Sequence, residues 1–90
     1  MPSQPTHEAL RAEILRAVHE RGIGKTVCPS EVARTLAGPD EKVWRLLMQP
    51  IRRAAVSLVE EGRVVIKRKG RPVAPADLKG IYRLSLPGEP

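Results

Sequence analysis

Residues 40–71 read DEKVWRLLMQPIRRAAVSLVEEGRVVIKRKGR, and the fold turns on how this stretch is wound. On a helical wheel, Val43, Trp44, Leu47, Met48, Ile51, Ala54, Ala55, Leu58 and Val59 fall on one broad side. Lys42, Arg45, Gln49, Arg52 and Arg53 cluster on the other. One side is broad enough to pack against a core, and the other offers cations to a negative partner. Pro50 removes a backbone donor and crowds the carbonyl of Leu46, so the helical segment is expected to be kinked or split there, into 41–49 and 50–61. Leu46 and Val56 are apolar residues on the polar side. They read as isolated exposed residues, with a thymine methyl or a second subunit as the alternative contact.

Downstream, Glu60-Glu61-Gly62 stops the helix, and the β-branched centre of 63–68 predicts a strand. Residues 81–86 alternate, with Tyr82, Leu84 and Leu86 on one face, and should pair with it as an antiparallel hairpin. The connection, 69–80, contains Gly70, Pro72, Pro75 and Gly80. It is too long for a tight turn and is expected to project as a loop, or wing.

Upstream, Thr6 is the expected N-cap with Glu8 in the first turn, and Leu10, Ile14, Ala17 and Val18 recur on one face of a helix running to Arg21. Glu13, Arg16 and Glu20 form its solvated face, and Gly22 is expected to end it in the αL conformation. Thr26-Val27 should be extended and able to edge a small sheet. Pro29 and Glu31 open a second helix with Val32, Ala33 and Leu36 inward, and Ala37-Gly38-Pro39-Asp40 turns the chain into the third segment.

Ninety residues with 41% hydrophobic and 29% charged content describe one globular domain, here residues 6–86, with a lead-in at 1–5 and a tail at 87–90. Net charge is +6, unevenly spread: residues 1–41 hold 5 Lys/Arg against 6 Asp/Glu, whereas residues 42–90 hold 11 against 4. So basic a second half attracts nucleic acid or an anionic surface at long range. The single cysteine, Cys28, rules out an intrachain disulfide and suits a reducing compartment. No export signal or membrane-length apolar run is visible, so the expected location is cytoplasmic, away from the membrane.

Helix, short strand, helix, turn, helix, strand, long loop, strand is the order found in winged helix-turn-helix domains, an α+β fold. The chain resembles, more closely, a small bacterial family of winged-helix-like domains of unknown function. The matching residues are Pro29-Ser30-Glu31-Val32-Ala33, Trp44-Arg45, Leu47-Met48, Ile51-Arg52, Glu61-Gly62, Lys69-Gly70, Pro72-Val73, Lys79-Gly80 and Tyr82-Arg83-Leu84. The resemblance implies three helical segments with a small β-hairpin wing, and it carries over no catalytic residues.

By that analogy the third segment would meet the major groove of duplex DNA and the wing the backbone or an adjacent groove. Lys42, Arg45, Arg52 and Arg53 suit guanine edges or phosphates, Gln49 suits adenine, and Lys67, Arg68, Lys69 and Arg71 would add phosphate contacts. The reading is therefore a duplex-DNA-binding protein, such as a transcriptional regulator. The alternative is a protein-interaction module, with a homodimer or another protein docking at Leu46 and Val56.

Single-stranded RNA is less suited, because Trp44 and Tyr82 are the only aromatics and both fall on packing faces. An enzyme is not expected. Gly24-Lys25-Thr26 imitates the end of a phosphate-binding loop, but His19 stands where its first glycine belongs. His7 and His19, about 18 Å apart along one helix, cannot share a metal, and Cys28 has no identifiable histidine partner. No cofactor or metal is implied.

Overall fold

In the computed structural model of the chain, residues 5–88 are described; 1–4 of the expected lead-in and 89–90 of the expected tail lie outside the described residues. Helix α1 (His7–Arg21) starts where Thr6 Oγ1 accepts the Ala9 N–H at 3.0 Å. That bond satisfies one of the donors a helix start leaves open. Leu10, Ile14 and Val18 repeat every four residues and are buried, so α1 presents a narrow apolar stripe. Gly22 ends it at φ 96°, ψ 167°, a positive-φ but extended conformation rather than the expected αL.

Val27 is extended as expected: its N–H and carbonyl exchange hydrogen bonds with Leu84, at 2.7 and 2.8 Å. Helix α2 (Pro29–Ala37) follows, with Pro29 as its first residue and the Glu31 carboxylate accepting the Cys28 N–H at 2.8 Å. That backbone donor, helped by Arg21, holds the Glu31 carboxyl below the usual carboxylate range. The chain then turns through Gly38 to Asp40, whose carboxylate accepts the Lys42 N–H at 3.0 Å and caps the third segment.

That segment is split, but not where the proline stands. Helix α3 (Glu41–Trp44) passes into a 3-10 turn (Arg45–Leu47) and then into α4 (Met48–Glu60). Pro50 is the third residue of α4, in its first turn, where the donor it lacks would find no acceptor within α4 itself. The ring's clash with the preceding turn is relieved upstream, by tightening residues 45–47. The backbone stays right-handed helical throughout, from φ −69°, ψ −28° at Trp44 to φ −62°, ψ −42° at Met48.

The tightening re-aims α3. Three residues wound at about 120° rather than about 100° turn α3 by roughly 60° relative to α4. Val43, expected on the packing side, is accordingly 45% exposed, while Trp44 stays half-buried against the core with the Arg34 guanidinium over its ring, 5.5 Å from the centroid. Leu46 is 65% exposed, as its polar-side position implies. Val56, read as exposed, is half-buried and packs against the core.

Strand β1 (Val65–Arg68) is the centre of a three-stranded antiparallel sheet in the order β2-β1-β3. It pairs with β3 (Arg83–Ser85) in the register Val65↔Ser85, Ile66↔Leu84 and Lys67↔Arg83, the pairing expected from the sequence. The connection corrects that expectation. A two-residue turn at Lys69-Gly70 folds the chain back at once into β2 (Arg71–Pro72), with Arg68 opposite Arg71. Both turn residues have positive φ, 52° and 79°, which lets the turn follow the strands' own twist. Residues beyond β2 return across the domain through a 3-10 turn (Pro75–Asp77) and bury Leu78. The wing is thus a tight hairpin with a packed return, not a free loop.

The core lies between these layers. Ile51, Ala54, Ala55 and Leu58 of α4 meet α1 and α2 on one side and β1 on the other, with Val27, Val32, Val64, Ile66 and Leu84 closing the interior. Arg11 ties the periphery, donating to Ser57 Oγ and to the Glu61 carboxylate, both at 2.8 Å.

Candidate nucleic-acid interface

Three of the residues singled out on the third segment, Lys42, Arg45 and Gln49, are exposed along α3, the 3-10 turn and the start of α4, and Arg53 continues the exposed face one turn on. Arg52 has a different setting. It is half-buried, and its Nη2 donates to the Leu78 carbonyl at 2.9 Å, fastening the return of the wing to α4.

The wing residues divide in the same way. Lys69 and Arg71 are exposed at the hairpin tip. Arg68 is half-buried, and its Nε donates to the Ile81 carbonyl at 3.2 Å. Lys67 is half-buried beside Arg83 on the neighbouring strand.

The ion pairs of the domain avoid this set. Among the described residues, the arginines within 4.0 Å of a carboxylate are Arg11, Arg16, Arg21 and Arg63. Lys42, Arg45, Arg52, Arg53, Lys67, Arg68, Lys69 and Arg71 have none within that distance. The strand register also sets like-charged residues opposite each other, Lys67 with Arg83 and Arg68 with Arg71, one pair on each face of the sheet because 67 and 68 are consecutive. Such pairs repel and weaken a sheet unless an anion lies over them.

Arg83 belongs with these cations and was missed from the sequence. Its Nε donates to Thr26 Oγ1 at 2.6 Å, so the loop that imitates a phosphate-binding motif is tied to β3. Ser85, fully buried, does the same by donating to the Lys25 carbonyl at 2.8 Å. The signal for Arg83 was the strand alternation: with Tyr82 and Leu84 inward, Arg83 has to face out.

Tyr82 is 7% exposed, and among the described residues its hydroxyl has no hydrogen-bond partner. Burial pushes the phenol up to about 12, although the positive charge of Arg52 pulls the other way. A buried hydroxyl left unpaired costs about 1–3 kcal/mol, so Tyr82→Phe is expected to raise stability by about 1 kcal/mol and the melting temperature by roughly 4–8 °C. The pH dependence has a definite sign. Between the ordinary value of 10.0 and about 12 the unfolded chain ionises first, so stability falls as pH rises through that window. Thermal melts from pH 9 to 12 should show the fall in the parent chain and a shallower one in the phenylalanine variant.

Among the described residues, no group of three or more His, Cys, Asp or Glu is placed to hold a metal ion, and no helix is long and apolar enough to cross a membrane.

The α+β arrangement, with a third helical segment following a glycine turn and a small antiparallel sheet behind it, defines a winged-helix-like domain. The chain belongs to the family described as "Protein of unknown function (DUF3253)", whose model matches residues 7–87. No curated protein matches it.

Proposed function

We propose that this chain binds duplex nucleic acid, with Lys42, Arg45, Gln49 and Arg53 against a groove and the phosphates that border it and the wing cations against the backbone, as a cytoplasmic regulator of transcription would. The observation that carries the reading is that, among the described residues, Lys42, Arg45, Arg53, Lys67, Lys69 and Arg71 stand with no carboxylate within 4.0 Å, while Lys67 lies opposite Arg83 in the sheet. A phosphate backbone lying over the Lys67–Arg83 pair relieves the repulsion between them and releases its own counterions in doing so. Nothing in this reading calls for catalysis.

The test is fluorescence anisotropy with a generic duplex at several salt concentrations. With about four to six phosphates neutralised, log affinity should fall against log salt with a slope of roughly −4 to −5. No binding at low salt, or binding indifferent to salt, sinks the reading. One observation favours a protein-interaction module instead, the exposed Leu46 with Val43 exposed one turn before it, which together make an apolar spot on a helix surface. Sedimentation separates the two: a concentration-dependent mass abolished by Leu46→Glu would support the module. Val56 has no part in it, being packed against the core.

A further inference from the structure

Leu46 at 65% exposed and Val43 at 45% form an apolar pair one helical turn apart. They sit in a stretch, residues 42–59, with no acidic residue. Lys42 lies one turn before Leu46, Gln49 one turn after and Arg53 two turns after, so helical spacing brings all three to the side of the helix that Leu46 occupies. All three are exposed. The pair is therefore an apolar spot flanked by two cations, Lys42 and Arg53, and by the hydrogen-bonding amide of Gln49.

Charge complementarity selects a polyanion as the occupant, and the spot requires that polyanion to present apolar surface between its charges. In the major groove, duplex DNA does so chiefly at the C5-methyl of thymine, which stands beside hydrogen-bonding edges; uracil lacks it. The flanking residues fit that neighbourhood. Gln49 can pair with the adenine of the same or an adjacent base pair, and Lys42 and Arg53 can meet phosphates or guanine.

We infer that Leu46, assisted by Val43, reads thymine methyl groups in the major groove, so that the chain prefers thymine-containing DNA. The inference rests on the duplex binding proposed above and adds the kind of duplex and the base that is read.

Two probes test it without knowledge of a target site: an alternating adenine–thymine duplex, which presents a methyl at every base pair, and the same duplex with uracil for thymine. At fixed salt the chain should bind the thymine duplex about fourfold more tightly, the fold-change that corresponds to about 0.8 kcal/mol for burying one methyl-sized group. Leu46→Ala should lose most of the preference for the thymine duplex with an unaltered salt slope, because no charge has been removed. Leu46→Met, of similar volume and still apolar, should keep the preference.

Equal affinity of the parent chain for both duplexes, each with the full salt slope, overturns the inference and leaves duplex binding standing. No salt-dependent binding to either duplex overturns both. A self-association that Leu46→Ala abolishes would assign the spot to a protein contact and also overturn it.

Discussion

Replacing Arg45 and Arg53 together by glutamate is expected to weaken duplex binding by roughly a hundredfold at about 0.1 M salt, while the melting temperature stays within a few degrees of the parent chain. At that salt each phosphate contact contributes a factor of about eight through counterion release, so losing two gives about sixtyfold, and the repulsion of two introduced carboxylates adds the rest. The salt slope should become shallower by about two.

Both arginines are exposed, and among the described residues neither makes an ion pair or a side-chain hydrogen bond, so the fold has little to lose. Arg52 would be the wrong choice for this experiment. Its guanidinium holds the Leu78 carbonyl, and changing it would loosen the return of the wing as well as remove a charge. Unchanged affinity in the double variant, measured by anisotropy beside a thermal melt, would show that this face does not meet the duplex.

The second large effect is on stability. Leu58→Ala should cost about 3–5 kcal/mol, because the side chain is fully buried at the contact of α4 with the rest of the core, and truncation both loses its transfer free energy and leaves a cavity. A domain of this size has a total stability of about 5–15 kcal/mol, so the variant should be close to its unfolding midpoint under mild heating. Urea unfolding followed by circular dichroism checks it. A loss under about 1 kcal/mol would mean that the neighbouring helices close over the gap, contrary to a rigid α1–α4 contact.

Periodicity made most of the helices and strands legible. Leu10, Ile14 and Val18 defined α1, Ile51 through Leu58 defined α4, and the alternation around Leu84 marked the strand that pairs antiparallel with the one containing Ile66. Capping was equally local: Thr6, Glu31 and Asp40 act within three residues of themselves, and their chemistry can be read without knowing the fold.

The break in the third segment was legible only as a consequence of Pro50. A proline fixes that something must give, and whether it gives at the ring or in the turn before it depends on which side chains are packed around both. Here Leu47 is buried just ahead of α4, and the yielding occurs at 45–47. The hairpin at Lys69-Gly70 was missed because lysine is not a residue that favours positive φ, so its signal is far weaker than an asparagine–glycine pair would give.

The sequence by itself determined the charge asymmetry, the apolar stripes and the caps, since each depends on residue type and spacing within a turn or a strand. Only the tertiary structure decided which basic residues are left free. Arg52 and Arg68 carry the same charge as Arg45 and Arg53, but carbonyls of Leu78 and Ile81, 26 and 13 residues further along the chain, recruit them as fasteners. The opposed pairs Lys67–Arg83 and Arg68–Arg71 likewise exist only once the strands are in register. The physical reason is the range of the interaction: capping and amphipathicity act over a few residues, whereas the repulsion and tethering that shape the candidate interface act between segments that only folding brings together.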